Sequence, residues 1–208
     1  MKNIVVLASG GGTNLQALID AQHRGEIAAG RITCVISSNP NAYALTRASE
    51  NGIETAVIRR RDFDAFDDYD AALTKLLREK KADLVVLAGF MTILGSQVIR
   101  AFENRIINIH PALIPSFCGE GYYGLRVHEE ALRKGVKVTG ATAHFVNEIC
   151  DGGPIIIQKA VAVQNGDTPE ILQKRVMEQA EWKILPKAVA LFCEDKIKVN
   201  GNKTEILE

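Results

Sequence analysis

Four short runs of apolar and β-branched residues, at positions 4–8, 32–36, 55–58 and 84–88, set the pattern of this chain. Each is too short for a buried helix and lacks the strict alternation of a half-wetted strand. Each therefore reads as a strand covered on both faces. Between them lie segments with helical spacing. Residues 14–21 put Leu15, Ala17, Leu18 and Ala21 on one side, residues 42–51 run up to a stop at Gly52, and residues 66–81 form a charged amphipathic stretch. Short strands alternating with helices predict βαβ units around a parallel sheet, joined by right-handed crossovers. The remainder changes character. Residues 105–109 form a strand that runs into His110 and Pro111, residues 115–124 form a long loop, and residues 137–146 and 155–163 form two strands with scope for antiparallel pairing. Residues 169–192 are mostly helical, and the polar tail from Lys196 is a small edge structure or a frayed end. The expected fold class is α/β: a Rossmann-like three-layer α/β/α sandwich with a mostly parallel central sheet and an antiparallel element in the C-terminal half.

Charge narrows the partners. Lys plus Arg and Asp plus Glu are 25 each, so the chain is formally neutral and lacks the basic excess that holds a phosphate backbone. Hydrophobic residues make up 47% of the 208 residues, enough for a packed core. The four cysteines, Cys34, Cys118, Cys150 and Cys193, show no C-x-x-C and no metal spacing, which predicts free thiols and no metal. No apolar run reaches membrane-spanning length, and the apolar start is too short for a signal peptide. The expectation is a cytoplasmic protein acting on small molecules, with no nucleic-acid or membrane partner, as a monomer or homodimer.

The first run ends in Ser9-Gly10-Gly11-Gly12-Thr13-Asn14-Leu15 and opens a helix. Unpaired N–H groups at a helix start attract anions, and glycines let the backbone come close. No G-K-[ST] follows, and Leu15 stands where a dinucleotide fingerprint needs its third glycine. The loop therefore suits one phosphate, or else is a plain turn capped by Thr13 or Asn14. Farther on, Asn108 and His110 alternate with Ile107 and Ile109, so both point to one face at the C-terminal end of a strand. Ligands of open α/β sheets gather at such ends. The bland alternative is a pair of hydrogen-bonded core polars. Asp151-Gly152-Gly153-Pro154, taken alone, reads as a turn with a turn-favouring Asp.

Five stretches, spread in order over nearly the whole chain, carry a resemblance. They are V-L-A-S-G-x-G-T-N-L (6–15), I-S-S-N (36–39), L-A-G-F-M-x-I-L (87–94), N-I-H-P-A-L-I-P (108–115) and H-F-V-x-E-x-x-D-G-G-P-I-I-x-Q (144–158). Together they resemble the folate-dependent formyltransferases, and most closely those that formylate phosphoribosylglycinamide in purine synthesis. The resemblance implies formyl transfer from 10-formyltetrahydrofolate, as co-substrate, to a primary amine, without a metal. It implies that Asn108, His110 and Asp151 are catalytic. It places the substrate phosphate on Gly12, Thr13 and Asn14, with Gly89 lining the nucleotide side and Glu181 at the ribose hydroxyls. It gives the folate one wall from Met91, Thr92, Ile93 and Leu94, largely through backbone groups, and a facing wall from Val146, Asn147, Glu148, Ile149, Cys150 and Asp151, with Asn108 between. A single domain over 1–208 is implied, with a phosphate-binding half (about 1–105) and a folate-binding, catalytic half (about 106–208).

The chain departs from its relatives in four places. Thr92 stands where many carry Arg. Phe66 stands where many carry a basic residue, with only Arg59 to Arg61 nearby. The loop over 115–124 is longer, which predicts a segment that is mobile without ligand, and residues 167–186 hold one extra residue. Two alternatives stay open on the sequence: a formyltransferase for another amine, and a non-catalytic mononucleotide-binding protein that uses the first loop alone.

Overall fold

The computed structural model describes residues 1–207. Its central sheet has seven strands in the order β3-β2-β1-β4-β5-β6-β7. β1 (Lys2–Ala8), β2 (Gly30–Ser37), β3 (Glu54–Val57), β4 (Leu84–Leu87) and β5 (Ile106–His110) pair in parallel. β6 (Val138–Phe145) and β7 (Ile155–Ala162) are antiparallel. The fold is thus the expected α/β sandwich, and the strand order reverses between β1 and β4.

Side chains alternate across a strand, so each covered strand serves two cores. From β1, Ile4, Val6 and Ala8 join Leu15 and Leu18 of α1 (Thr13–His23) and Leu185 and Val189 of α7 (Trp182–Cys193). Val5 and Leu7 go to the opposite face, where Tyr69, Leu73 and Leu77 of α3 (Phe66–Glu79) and Val98 of α4 (Ser96–Ala101) cover the sheet. α2 (Tyr43–Glu50), α5 (Leu125–Arg133) and α6 (Pro169–Val176) lie on the α1 side, contributing Ala44, Ala131 and Leu172 to the first core. The second core takes residues from β1, β2, β4 and β5, but none of its described members comes from β6 or β7. Past β5, that face of the sheet is left to loops.

Two helices have no counterpart in the sequence reading. α4 has six residues, too few for a period to show. α5 buries only Val127, Ala131 and His128, so it looks polar from its sequence. The polar tail is a two-stranded hairpin of β8 (Ile197–Asn200) and β9 (Lys203–Ile206), tied to β7 by a hydrogen bond from the Thr204 hydroxyl to the Ile155 carbonyl at 2.6 Å.

α4 carries no cap of its own. Its start is held from α3: the buried Asp70 carboxylate accepts the Gly95 N–H through Oδ1 at 2.9 Å and the Gln97 N–H through Oδ2 at 2.8 Å. Residues 91–94 enter α4 through this junction. Asp70→Ala should therefore cost about 1–3 kcal/mol, because it strands backbone donors at the α4 start. A thermal melt checks this; with ~2–4 °C per kcal/mol for a chain of this size, Tm should fall by several degrees.

Candidate functional site

The crevice between β1 and β4, where the strand order reverses, is floored by backbone. Ser9 N–H donates to the Gly89 carbonyl at 3.0 Å, and Met91 N–H donates to Ser9 Oγ at 2.9 Å. The glycine loop rises beside it. Gly12 is the N-cap of α1, at φ 72°, and no side chain caps the helix. Capping by Thr13 or Asn14, the plain-turn alternative, is thus not realised, and no acidic residue occupies the first turn. A Cβ at Gly12 would stand 2.8 Å from Cα and Cβ of Ala44, so the left-handed backbone and the packing of α2 both demand glycine here. Arg47 of α2 backs the loop through a bond from Nε to the Gly11 carbonyl at 2.9 Å. The result is an uncapped, positively polarised helix start that opens on the crevice.

Asn14 joins this loop to the C-terminal helices: its Nδ2 donates to Glu181 Oε2 at 2.7 Å, while its Oδ1 is buried without a partner. Glu181 is itself buried, and burial pushes its carboxyl up to about 7, with the Asn14 amide pulling back only in part. Residues Met177–Glu181 form one π-helical turn, in which the Trp182 N–H reaches back to the Met177 carbonyl. Glu181 closes this widened turn, where it meets Asn14.

The second focus lies where β5 meets β6. Asn108 stands opposite His144 and His110 opposite Thr142 in the antiparallel register. All four point to the face that the helices leave uncovered. Asn108 Nδ2 lies 3.2 Å from His144 Nε2, and His144 Nδ1 lies 2.8 Å from the Phe145 carbonyl. The carbonyl fixes a proton on Nδ1, and Nε2 lies between the Asn108 amide and Asp151 Oδ1. Asp151 sits between the two histidines, with Oδ2 3.5 Å from His110 Nδ1 and Oδ1 3.6 Å from His144 Nε2. These are electrostatic contacts, longer than hydrogen bonds. Its backbone is left-handed, at φ 53°, a strained state for a non-glycine residue.

The charges follow from burial. Burial pushes His110 below its usual pKa, and the Asp151 charge and the Phe117 carbonyl offset this only in part. His110 is neutral near pH 7, with its proton on Nε2, which donates to the Phe117 carbonyl at 2.8 Å. Its Nδ1 lies on the Asp151 side of the ring, 3.5 Å from Oδ2. Burial also pushes Asp151 up, but His144, His110 and the Gly119 N–H outweigh it and hold the carboxyl below its usual range. The Gly119 bond to Asp151 Oδ2 is 2.9 Å. The 115–124 loop thus lies on the site, anchored at His110 and at Asp151, and is closed on itself by the Phe117–Tyr122 ring contact.

The two expected walls flank this cluster. Met91, Ile93 and Ile149 are exposed apolar side chains, whereas Leu94 is buried in the second core and leaves only its backbone for a ligand. Val146 is half-buried against the same core. Arg100 of α4 contacts Glu148 at 3.2 Å and links one wall to the other. The Asn147 Oδ1 accepts the Ile149 N–H at 3.0 Å and shapes the turn that carries Cys150 and Asp151. Thr92 lines a cleft of about 330 Å³ with Ser38, Asn39 and Arg59 to Arg61. A larger cavity of about 590 Å³ is lined by Asp151 together with Pro115, Cys118, Cys150 and Lys203. The described residues hold no cluster of three or more metal-ligating side chains, and no helix among them is long and apolar enough to cross a membrane.

Sequence reasoning assigned His144 no role, although the motif begins on it; the signal was the alternation of β6, which puts His144 and Thr142 on one face. The ionisation of Glu181 supplies a test of this geometry. A carboxyl raised from 4.5 to about 7 on folding contributes stability that is present below pH 4.5 and lost as pH rises through about 7. Glu181→Gln should therefore melt above the parent at pH 8 by several degrees, and the gap should close towards pH 5. Equal slopes of Tm against pH for the two proteins would refute the buried, titrating carboxyl.

Comparison with known proteins agrees with this architecture. The formyl transferase family profile matches residues 2–189. A phosphoribosylglycinamide formyltransferase of Haemophilus influenzae is 41% identical over 202 residues, covering 97% of this chain and 92% of that one. The bovine trifunctional purine biosynthetic protein adenosine-3 is 42% identical over 199 residues, 96% of this chain but only 19% of the bovine protein. The crystal structure of glycinamide ribonucleotide transformylase 1 from Symbiobacterium toebii superposes with a TM-score of 0.94 at 42% identity, covering 100% of this chain and 95% of that one. On profile, identity and fold together, the chain belongs to the formyl transferase family.

Proposed function

We propose that the chain transfers the formyl group of 10-formyltetrahydrofolate to the amine of 5-phosphoribosylglycinamide. It is a formyltransferase of purine biosynthesis. One observation carries the assignment of its parts: an uncapped helix start suited to a phosphate and an Asn–His–His–Asp cluster open along the same C-terminal edge of the sheet. The acceptor phosphate meets the N–H groups at Gly12, Thr13 and Asn14, its ribose reaches Glu181, and Gly89 lines the crevice between. The folate lies between residues 91–94 and 146–151, where Met91, Ile93 and Ile149 offer apolar surface to a flat ring. Its acidic tail faces the cleft of Arg59, Arg60 and Arg61, in place of the basic residues missing at Thr92 and Phe66. The division of labour at residue 105 is thus not sharp, because residues 91–94 belong to the first half and serve the folate.

The chemistry needs a stabilised oxyanion and a path for one proton. The acceptor amine attacks the formyl carbon, and charge collects on the formyl oxygen. Asn108 Nδ2 and His110 Nε2 supply two N–H donors to it, once the Phe117 carbonyl has left His110. His144 Nε2, 3.2 Å from Asn108 Nδ2, positions the amide that faces the substrate. The attacking nitrogen must lose a proton, and the folate nitrogen must gain one as the carbon–nitrogen bond breaks. Asp151, held ionised beside His110 Nδ1, takes the proton through water and returns it to the leaving nitrogen. His110 can carry the proton on Nδ1 in the interval, where the facing carboxylate stabilises the imidazolium.

His110→Ala and Asp151→Asn should each lower kcat by ~10²–10³ with little change in melting temperature. Loss of 10-formyltetrahydrofolate absorbance in the presence of phosphoribosylglycinamide measures this. Near-parental turnover in either variant sinks the roles assigned; no turnover in the parent with this amine, but turnover with another, sinks the acceptor alone.

A further inference from the structure

Cys34 and Cys193 are buried in the two cores, whereas Cys118 is half-buried and Cys150 is exposed. The last two come from separate segments, the 115–124 loop and the turn after β6, yet both line the cavity of about 590 Å³ beside Asp151. The backbone already bridges the gap between them. Gly119, the residue after Cys118, donates its N–H to the side chain of Asp151, the residue after Cys150, at 2.9 Å. The Cys150 thiol itself lies 3.9 Å from the same carboxylate oxygen. The Cys118 thiol donates to the Pro115 carbonyl at 3.3 Å. Two thiols from different segments thus line one solvent-open cavity, with their following residues joined by a hydrogen bond, and the formyl-transfer chemistry uses neither sulfur.

We propose that Cys118 and Cys150 are a reversible thiol-modification site, where a low-molecular-weight disulfide drives an intramolecular bridge that staples the 115–124 loop over His110 and Asp151. The reaction is ordinary thiol–disulfide exchange. One cysteine thiolate attacks a sulfur of the small disulfide RSSR, forms a mixed disulfide and expels RS⁻. The second cysteine thiolate attacks the protein sulfur of that mixed disulfide and expels the second RS⁻. The two cysteine sulfurs are oxidised, RSSR is reduced to two RSH, and these take up the two cysteine protons. Closure to the ~2.05 Å of an S–S bond is taken up by the loop backbone.

The bridge inhibits through the contacts present in the structure. A stapled loop keeps the Phe117 carbonyl on His110 Nε2 and the Gly119 N–H on Asp151, so neither group is released to a substrate. Burial, and then the Asp151 charge, hold both thiols above the usual cysteine range. The site therefore reacts slowly at neutral pH and faster as pH rises, unlike a low-pKa sensor.

The inhibition rests on the proposed function; the bridge itself does not, and two readouts separate them. The full-length chain is incubated with oxidised glutathione at mildly alkaline pH, and intact mass is measured beside formyl transfer. The expected result is a loss of two hydrogens and a fall in turnover of about tenfold or more, as for a locked loop, both reversed by dithiothreitol. Cys118→Ser should keep parental turnover, gain no bridge and resist inhibition. A stable glutathione adduct without a bridge, an unchanged mass, or a bridge that leaves turnover intact overturns the proposal. A reversible loss of two hydrogens in a chain that never transfers formyl would overturn the functional reading and the inhibition drawn from it, while leaving the bridge in place.

Discussion

The antiparallel pairing of β6 against β5 is the constraint on which the site depends. Parallel strands alone would end in a row of side chains facing the same crevice. Adding one reversed strand brings a second row back across the first. His144 is thereby set against Asn108 and Thr142 against His110. Thr142 then organises the chain beyond His110: its buried hydroxyl donates to the Ala112 carbonyl at 2.7 Å and accepts from the Ile114 N–H at 3.1 Å and from Gln158 Nε2 at 3.0 Å. The loop that covers the histidines is held at its root by the strand that supplies one of them. The return to β7 is equally tight. A Cβ at Gly153 would lie 1.9 Å from the Phe145 carbonyl, so glycine at this position is a steric requirement of the turn that presents Asp151.

This explains which parts of the site were legible in the sequence. The apolar runs and helical periods gave the parallel half of the sheet to within a residue or two, because covered strands and amphipathic helices are local patterns. The common face of Asn108 and His110 was legible for the same reason. Asp151 was not, since its direction depends on a left-handed residue in a turn and on a register shift between Ala143 and His144. His144 was missed because opposition across strands is a property of register, which no single segment encodes. Residue matching to the formyltransferases gave Asp151 its proposed role, whereas the glycine loop was already readable as a phosphate site or a plain turn. Matching supplied neither the neutral state of His110 nor the loop carbonyl that occupies it, both of which arise from packing.

The two ends of the site use burial in opposite ways. At Glu181 burial is offset by a single amide, and the carboxyl titrates near neutrality. At Asp151 burial is outweighed by two imidazoles and a backbone N–H, and the carboxyl stays ionised. The difference is a matter of partners. Under the proposed roles, an acid that holds a hydroxyl can be either donor or acceptor, whereas one that takes a proton from an amine has to begin without one. The glycine loop shows the same economy: its uncapped helix start leaves donors unpaired, a defect in a purely structural turn and an asset for binding an anion.

In the structure the site satisfies itself. The Phe117 carbonyl accepts the His110 proton and the Gly119 N–H donates to Asp151, so the two groups assigned to the chemistry are both partnered by one loop. A polar cluster of this depth would be costly if left unpaired without ligand, by ~1–3 kcal/mol for each lost bond. The loop removes that penalty, and substrates must then compete with it. The competition is winnable because each loop contact is a single backbone hydrogen bond, of which a formyl oxygen and an attacking amine offer direct replacements. The loop thus partners both groups within the site.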